Sequence, residues 1–149
     1  IVLYKPDIPQ NTAAIIRLGA CLSLNIHLIE PCGFNLNDSR FKRVVMDYMN
    51  LSKIFRYEDY DNFLENNKKS RIILMTTKTK KLYHKFRFKK NDILLFGRES
   101  AGVPEKLHKT IRNKIKIPMN KKARSLNVVT SVAIVSSEAL RQNNFLFEL

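Results

Sequence analysis

Residues 117 to 142, IPMNKKARSLNVVTSVAIVSSEALRQ, limit the possible folds more than any other part of the chain. A β-branched run ends at Ile115 and Ile117, Pro118 breaks it, and a basic, asparagine-containing loop leads to regular structure from Ser125. Beyond that point Leu126, Val129, Val132, Ala133, Ser136, Ala139 and Leu140 recur at helical spacing, with Ser125 placed as the N-cap and Arg141 in the last turn. Val128 to Val135 is apolar almost all round, so the helix is expected to be buried on more than one side. A strand, a polar loop and a buried helix in that order set backbone N–H groups and a helix N-terminus at the mouth of whatever the loop encloses. Two readings follow: a small polar ligand binds there, or an ordinary C-terminal helix closes an α/β domain.

The rest of the chain supplies that domain. IVLYK at 1–5, IHLIE at 26–30, a short run at 54–57, RIILMTT at 71–77, DILLFG at 92–97 and the run from Lys114 to Ile117 read as strands. Between them lie helical patterns: one capped by Asn11 or Thr12 and running to about Leu24, one over residues 38–49 capped by Asp38, one from Asp59 to about Asn66, and one entered through Gly102 and Pro104. Alternation of this kind predicts a mostly parallel sheet with helices on both faces, in one domain spanning residues 1–149. Ligands of such sheets sit beyond the carboxyl ends of the strands, here Thr76 to Lys78, Gly97 to Glu99 and Pro118 to Ser125.

Charge narrows the partner. Lys+Arg 27 against Asp+Glu 13 gives a net +14, which favours a polyanion such as nucleic acid. The 17 Lys against 10 Arg also fit the alternative of a lysine-rich codon bias. No apolar run approaches the ~18 residues a membrane span requires. Cys21 and Cys32 form no CxxC pair and have no His at ligand spacing, so no metal site is expected, and two such thiols suit a reducing cytosol. KTKKLYHKFRFKK, with Tyr83, Phe86 and Phe88 among its cations, would suit a phosphate backbone with stacked bases, or is a solvated connection. Arg17, flanked by Ile16 and Leu18, either snorkels to the surface or awaits an anion.

Three separated segments resemble one family. PDIPQNTAAIIR at 6–17, LLFGRESAGVP at 94–104 and the segment at 117–142 resemble, in order and spacing, the three motifs of the SpoU-type (SPOUT superfamily) RNA 2′-O-ribose methyltransferases. No RNA-binding extension flanks the core, so the chain looks most like the minimal group acting on the tRNA wobble nucleotide, the TrmL group. The resemblance implies a SPOUT α/β fold whose C-terminal third forms a trefoil knot, against the general rule that chains are unknotted. It also implies a homodimer joined partly through the C-terminal and first-motif helices. The implied reaction is methyl transfer from S-adenosylmethionine to the ribose 2′-hydroxyl of cytidine or modified uridine at the wobble position of the tRNA anticodon stem-loop. S-adenosylhomocysteine is the product, and no metal takes part. The rival readings are a related enzyme for another tRNA or rRNA site and a catalytically silent RNA-binding homologue.

Carried over by motif position, the resemblance gives Met75, Gly97, Ile117, Ser125 and Leu126 as cofactor-binding residues. It gives Arg17 at the reacting centre, Arg124 as a second substrate-binding arginine, and Asn11, Glu99 and Asn127 as braces of the loops. A guanidinium pKa above ~12 makes Arg17 a poor literal base; fixing a phosphate and stabilising a developing alkoxide suits it better. Two positions depart from the family pattern: Ala13 where Gly is usual, and Ser137 where the minimal group often has Tyr.

Overall fold

The computed structural model describes residues 1–49, 51 and 53–144. Each apolar run has become a strand: β1 Val2–Tyr4, β2 Ile26–Ile29, β3 Ile54–Tyr57, β4 Ile72–Met75, β5 Ile93–Phe96 and β6 Asn113–Ile115. The helices are α1 Pro9–Cys21, α2 Ser39–Met49, α3 Tyr60–Asn66, α4 Glu105–Thr110 and α5 Val128–Gln142. The six strands form one sheet in the order β3-β2-β1-β5-β4-β6, and every pairing is parallel. The chain therefore winds outward from β1 to β3 on one side and then crosses to fill the other.

Period two along the strands divides the core between the two faces. Leu3, Ile26, Leu28, Ile73, Leu94 and Phe96 pack with Ile15 and Ile16 of α1, Val45 of α2, and Val132 and Val135 of α5. Their sequence neighbours Val2, Tyr4, Ile29, Leu74, Ile93 and Leu95 point the other way, against Phe63 of α3 and Leu107 of α4. Each such large side chain taken fully out of water stabilises the fold by roughly 1.5–3 kcal/mol. At the amino end of the sheet Arg71 bonds Asp92 twice, at 2.7 and 2.6 Å, and donates to the Arg87 carbonyl, tying the starts of β4 and β5 together.

The structure moves two helix starts. α1 begins at Pro9 with Ile8 as N-cap, so Asn11 and Thr12 lie inside its first turn. Proline at the first position, where a missing N–H costs nothing, set that boundary, and the helix ends at Cys21, short of Leu24. α5 begins two residues later than Ser125 suggested: Asn127 caps it, its Oδ1 accepting from the N–H groups of Val129 (2.8 Å) and Thr130 (3.4 Å). α5 is also less covered than its composition implies. Within one chain Val132, Val135 and Ser136 are buried, but Val128, Val129, Ala133, Ile134, Ala139 and Leu140 are only half-buried.

The basic connection after β4 had two readings, a base-stacking surface or a solvated connection. Phe88 is buried, and half-buried Tyr83 and Phe86 pack against the same core, so the rings serve folding. The segment is also anchored at both ends of its course. Tyr83 N–H donates to the Lys116 carbonyl and Lys116 N–H to the Lys81 carbonyl, each at 2.9 Å. The Gln142 side chain at the end of α5 then accepts from Phe88 N–H and donates to the Phe86 carbonyl, also at 2.9 Å.

Candidate active site

The carboxyl ends of β4, β5 and β6 open on one cleft of about 480 Å³. Met75 to Lys78 leave β4 into it, Phe96 to Glu99 leave β5, Lys116, Ile117 and Met119 follow β6, and Ser125 to Val128 lead into α5. Ile8 and Asn11 close it from the α1 side. The cleft thus lies where the winding of the sheet changes direction, the place ligands of parallel sheets favour.

Gly97 decides how tightly the β5 loop closes. A Cβ built there would stand 2.5 Å from the Gly102 carbonyl carbon and 2.7 Å from its Cα, distances that real side chains do not tolerate. Arg98 and Gly102 exchange backbone hydrogen bonds (3.2 and 2.8 Å), and Gly102 turns the chain with φ +69°. The loop folds back on itself at the edge of the cleft.

A polar chain then joins the β5 loop, the start of α1 and the cap of α5. Glu99 accepts from Asp7 N–H (2.9 Å) and from the Asn11 side chain (3.2 Å). Asn11 Oδ1 accepts from Asn127 Nδ2 (3.2 Å), and Asn127 caps α5. Asp7 itself takes Arg98 on one oxygen, through Nε at 3.0 Å and also through the terminal nitrogen. Its other oxygen accepts from the backbone N–H (3.1 Å) and the hydroxyl of Ser100. The Arg98 guanidinium, helped by Ser100, holds the Asp7 carboxyl well below the usual carboxylate range. Sequence reasoning missed the Asp7–Arg98–Ser100 cluster, although DI and GRES stand in the quoted motifs. It also missed His108, whose Nε2 lies 3.3 Å from Thr76 Oγ1 on the cleft wall, and the cation of Lys116 beside it.

Of the residues singled out by sequence, Met75, Gly97, Ile117, Ser125, Leu126, Asn11, Glu99 and Asn127 come together at this cleft. Arg17 and Arg124 do not line it, and both are exposed. Helix geometry explains Arg17. Six residues beyond Asn11 it lies about 9 Å further along α1 and faces roughly 120° away from it.

The cleft suits S-adenosylmethionine in three respects. Its volume is in the range of small-molecule sites. Gly97, having no side chain, lets the β5 loop close tightly on Gly102 and Val103 at the edge of the cleft. Among the described residues, no hydrogen bond within the chain occupies the N–H groups of Ser125 and Leu126, while the Leu126 side chain stands 39% exposed over the opening. Neutral, flat adenine can be read by such main-chain groups between apolar walls.

Together these features define a parallel α/β domain, covered on both faces, with a cofactor-sized cleft made from three strand-end loops. The chain belongs to the SpoU methylase family: the model of the SpoU rRNA Methylase family matches residues 1–137. A tRNA (cytidine(34)-2′-O)-methyltransferase of Ancylobacter novellus is 42% identical over 144 residues, covering 95% of this chain and 91% of that protein. A solved structure described as giving insights into the 2-OH methylation of C/U34 on tRNA superposes with a TM-score of 0.90 at 35% identity, over 96% of this chain and 94% of that one. The SpoU methyltransferase AviRb of Streptomyces viridochromogenes, solved with its cofactor AdoMet, shares the fold with a TM-score of 0.86 at 19% identity, over 96% of this chain and 57% of that one.

Proposed function

We propose that this chain transfers a methyl group from S-adenosylmethionine to the ribose 2′-oxygen of the tRNA wobble nucleotide, cytidine or a modified uridine. The observation that carries the reading is the convergence of Met75, Gly97, Ile117, Ser125 and Leu126, which come from three distant segments, on a single cleft braced by Glu99, Asn11 and Asn127. The tRNA (cytidine(34)-2′-O)-methyltransferase relative supports the wobble ribose as the target, and the AdoMet-bound fold relative supports the donor.

S-adenosylmethionine, when bound, supplies an electrophilic sulfonium methyl and leaves as S-adenosylhomocysteine. The chain's own work is to hold the adenine side with main-chain groups around Gly97, Ile117, Ser125 and Leu126, and to present a cation where the 2′-oxygen gains charge. Arg17 is that cation. It fixes the phosphate beside the reacting ribose and stabilises the developing alkoxide, while Arg124 binds the same RNA from the loop before the α5 cap. A net charge of +14 supports an RNA substrate held largely through its phosphates.

Because Arg17 faces away from the cleft of its own chain, the complete site is shared between two copies. The half-buried apolar side of α5, next to α1, supports a homodimer that covers it. The reading includes the trefoil threading of the family. In its support, the 81–88 loop grips the chain at Lys116 and again at Gln142, on either side of the segment that lines the cleft.

The test is transfer from labelled S-adenosylmethionine to unmodified tRNA, with ribose methylation mapped after digestion. Label confined to the 2′-oxygen of nucleotide 34 is expected. Label at another tRNA or rRNA ribose would overturn the target, and no transfer to any RNA would overturn the enzyme. Mixing Arg17→Ala with Gly97→Val chains, each inactive alone, should restore transfer through a composite site; no recovery would overturn the shared arrangement.

A further inference from the structure

The Arg17 guanidinium carbon lies 5.3 Å from the centroid of the Tyr48 ring, near the end of α2. Five other arginines, at 40, 56, 71, 98 and 141, are each committed to a carboxylate. Arg71 also lies over a ring, that of Phe86 at 5.0 Å, yet its donors are taken by Asp92 and the Arg87 carbonyl. Among the described residues, no acceptor takes a hydrogen bond from the Arg17 side chain. Among the described residues, the contact that locates its charge is an aromatic face.

That choice of partner has chemical consequences. A carboxylate would hold the guanidinium equally well but would cancel its charge and occupy the fork that an oxyanion must enter. A ring face attracts the cation through its quadrupole without taking a hydrogen bond, and the Tyr48 hydroxyl accepts none from Arg17, so the N–H donors stay available. The ring is in turn fixed from behind: Tyr48 is half-buried and packs against the main core between α1 and α2. An exposed arginine otherwise samples many rotamers, and each must be given up when the substrate arrives.

We propose that Tyr48 is a positioning residue for the methyl transfer, holding the Arg17 guanidinium in place while leaving its donors open to the phosphate and the ribose oxygen. The inference rests on the assignment of Arg17 to the reacting centre. Tyr48 acts through Arg17 and touches neither substrate nor cofactor.

The experiment compares Tyr48→Phe, which keeps the ring, with Tyr48→Leu and Tyr48→Met, which keep apolar bulk without it, using full-length protein, S-adenosylmethionine and tRNA. Expected are a kcat within about twofold of wild type for Tyr48→Phe and about three- to tenfold lower for both ringless variants. The KM for S-adenosylmethionine and the melting temperature should hardly move, because a purely structural role would lower stability and leave the kcat of the folded fraction intact. Wild-type kcat in either folded ringless variant overturns the proposal, as does an equal loss in Tyr48→Phe. Arg17→Ala is the separate control: if it transfers methyl at the wild-type rate, the assignment of Arg17 fails, whatever Tyr48 does.

Discussion

Gly97 sits where a side chain has no room. Because the neighbouring atoms are the backbone of Gly102 and Val103, they cannot rotate away, and Gly97→Ala must open the loop. Calorimetry should show affinity for S-adenosylmethionine lowered by at least about tenfold, with a stability loss of about 1–3 kcal/mol from overpacking; unchanged affinity would mean that the loop closure does not shape the cofactor cleft. His27 offers a second test, of the fold itself. It lies between stacked rings, 4.8 Å from the Phe55 centroid and 5.7 Å from that of Tyr57, with Nδ1 2.9 Å from the Tyr57 hydroxyl. Burial lowers its pKa to about 4 from an ordinary 6.5. The folded state thus resists a proton that the unfolded chain accepts, so the contribution is fully present above pH 6.5 and is lost as pH falls toward 4. After allowance for partial exposure this amounts to about 1–2 kcal/mol, and His27→Phe should flatten the stability profile over that window in urea titrations. Asp7, held low by Arg98, acts in the same direction at lower pH, its share being lost as acid protonates it.

At the level of elements, the strands were readable because burial on both faces of a parallel sheet demands short apolar runs, and each such run is one. Helix ends were less readable. Asparagine serves as cap, brace and turn former, so Asn11 looked like a cap and is a brace inside α1, while Asn127 is the cap that Ser125 was expected to be. The basic segment after β4 stayed ambiguous for another reason: composition says what a stretch contains, not that Phe88 turns inward. Asn127 now joins two elements, since it caps α5 with one atom and donates to Asn11 with another. Asn127→Ala should cost about 1 kcal/mol through the lost cap, read as a lower melting temperature. The cleft should loosen with it, and combining it with Asn11→Ala should cost less than the sum of the two single changes, because both break the same bond. Strict additivity would show that the Asn11–Asn127 link carries no energy.

Taken whole, the molecule shows what one chain's sequence can and cannot display. Motif positions placed eight residues at one cleft, since a parallel sheet brings together the loops that follow its strands, and Asn11 reaches the same cleft from the first turn of α1. The Asp7–Arg98 pair, 91 residues apart, and the Arg17–Tyr48 contact depend on how α1 meets the β5 loop and α2, which no local spacing encodes. The strand pattern likewise fixes neither a threading nor a second copy. Binding of tRNA should weaken by at least about tenfold between 50 and 200 mM salt if phosphates supply much of the affinity, and a flat response would point away from RNA. The most direct test of the whole account uses two anticodon stem-loops identical except at nucleotide 34, one with ribose and one with 2′-deoxyribose, incubated with the protein and S-adenosylmethionine and weighed by mass spectrometry. A gain of one methyl on the ribose form alone is the expected result. Equal methylation of both, or of neither, would contradict it.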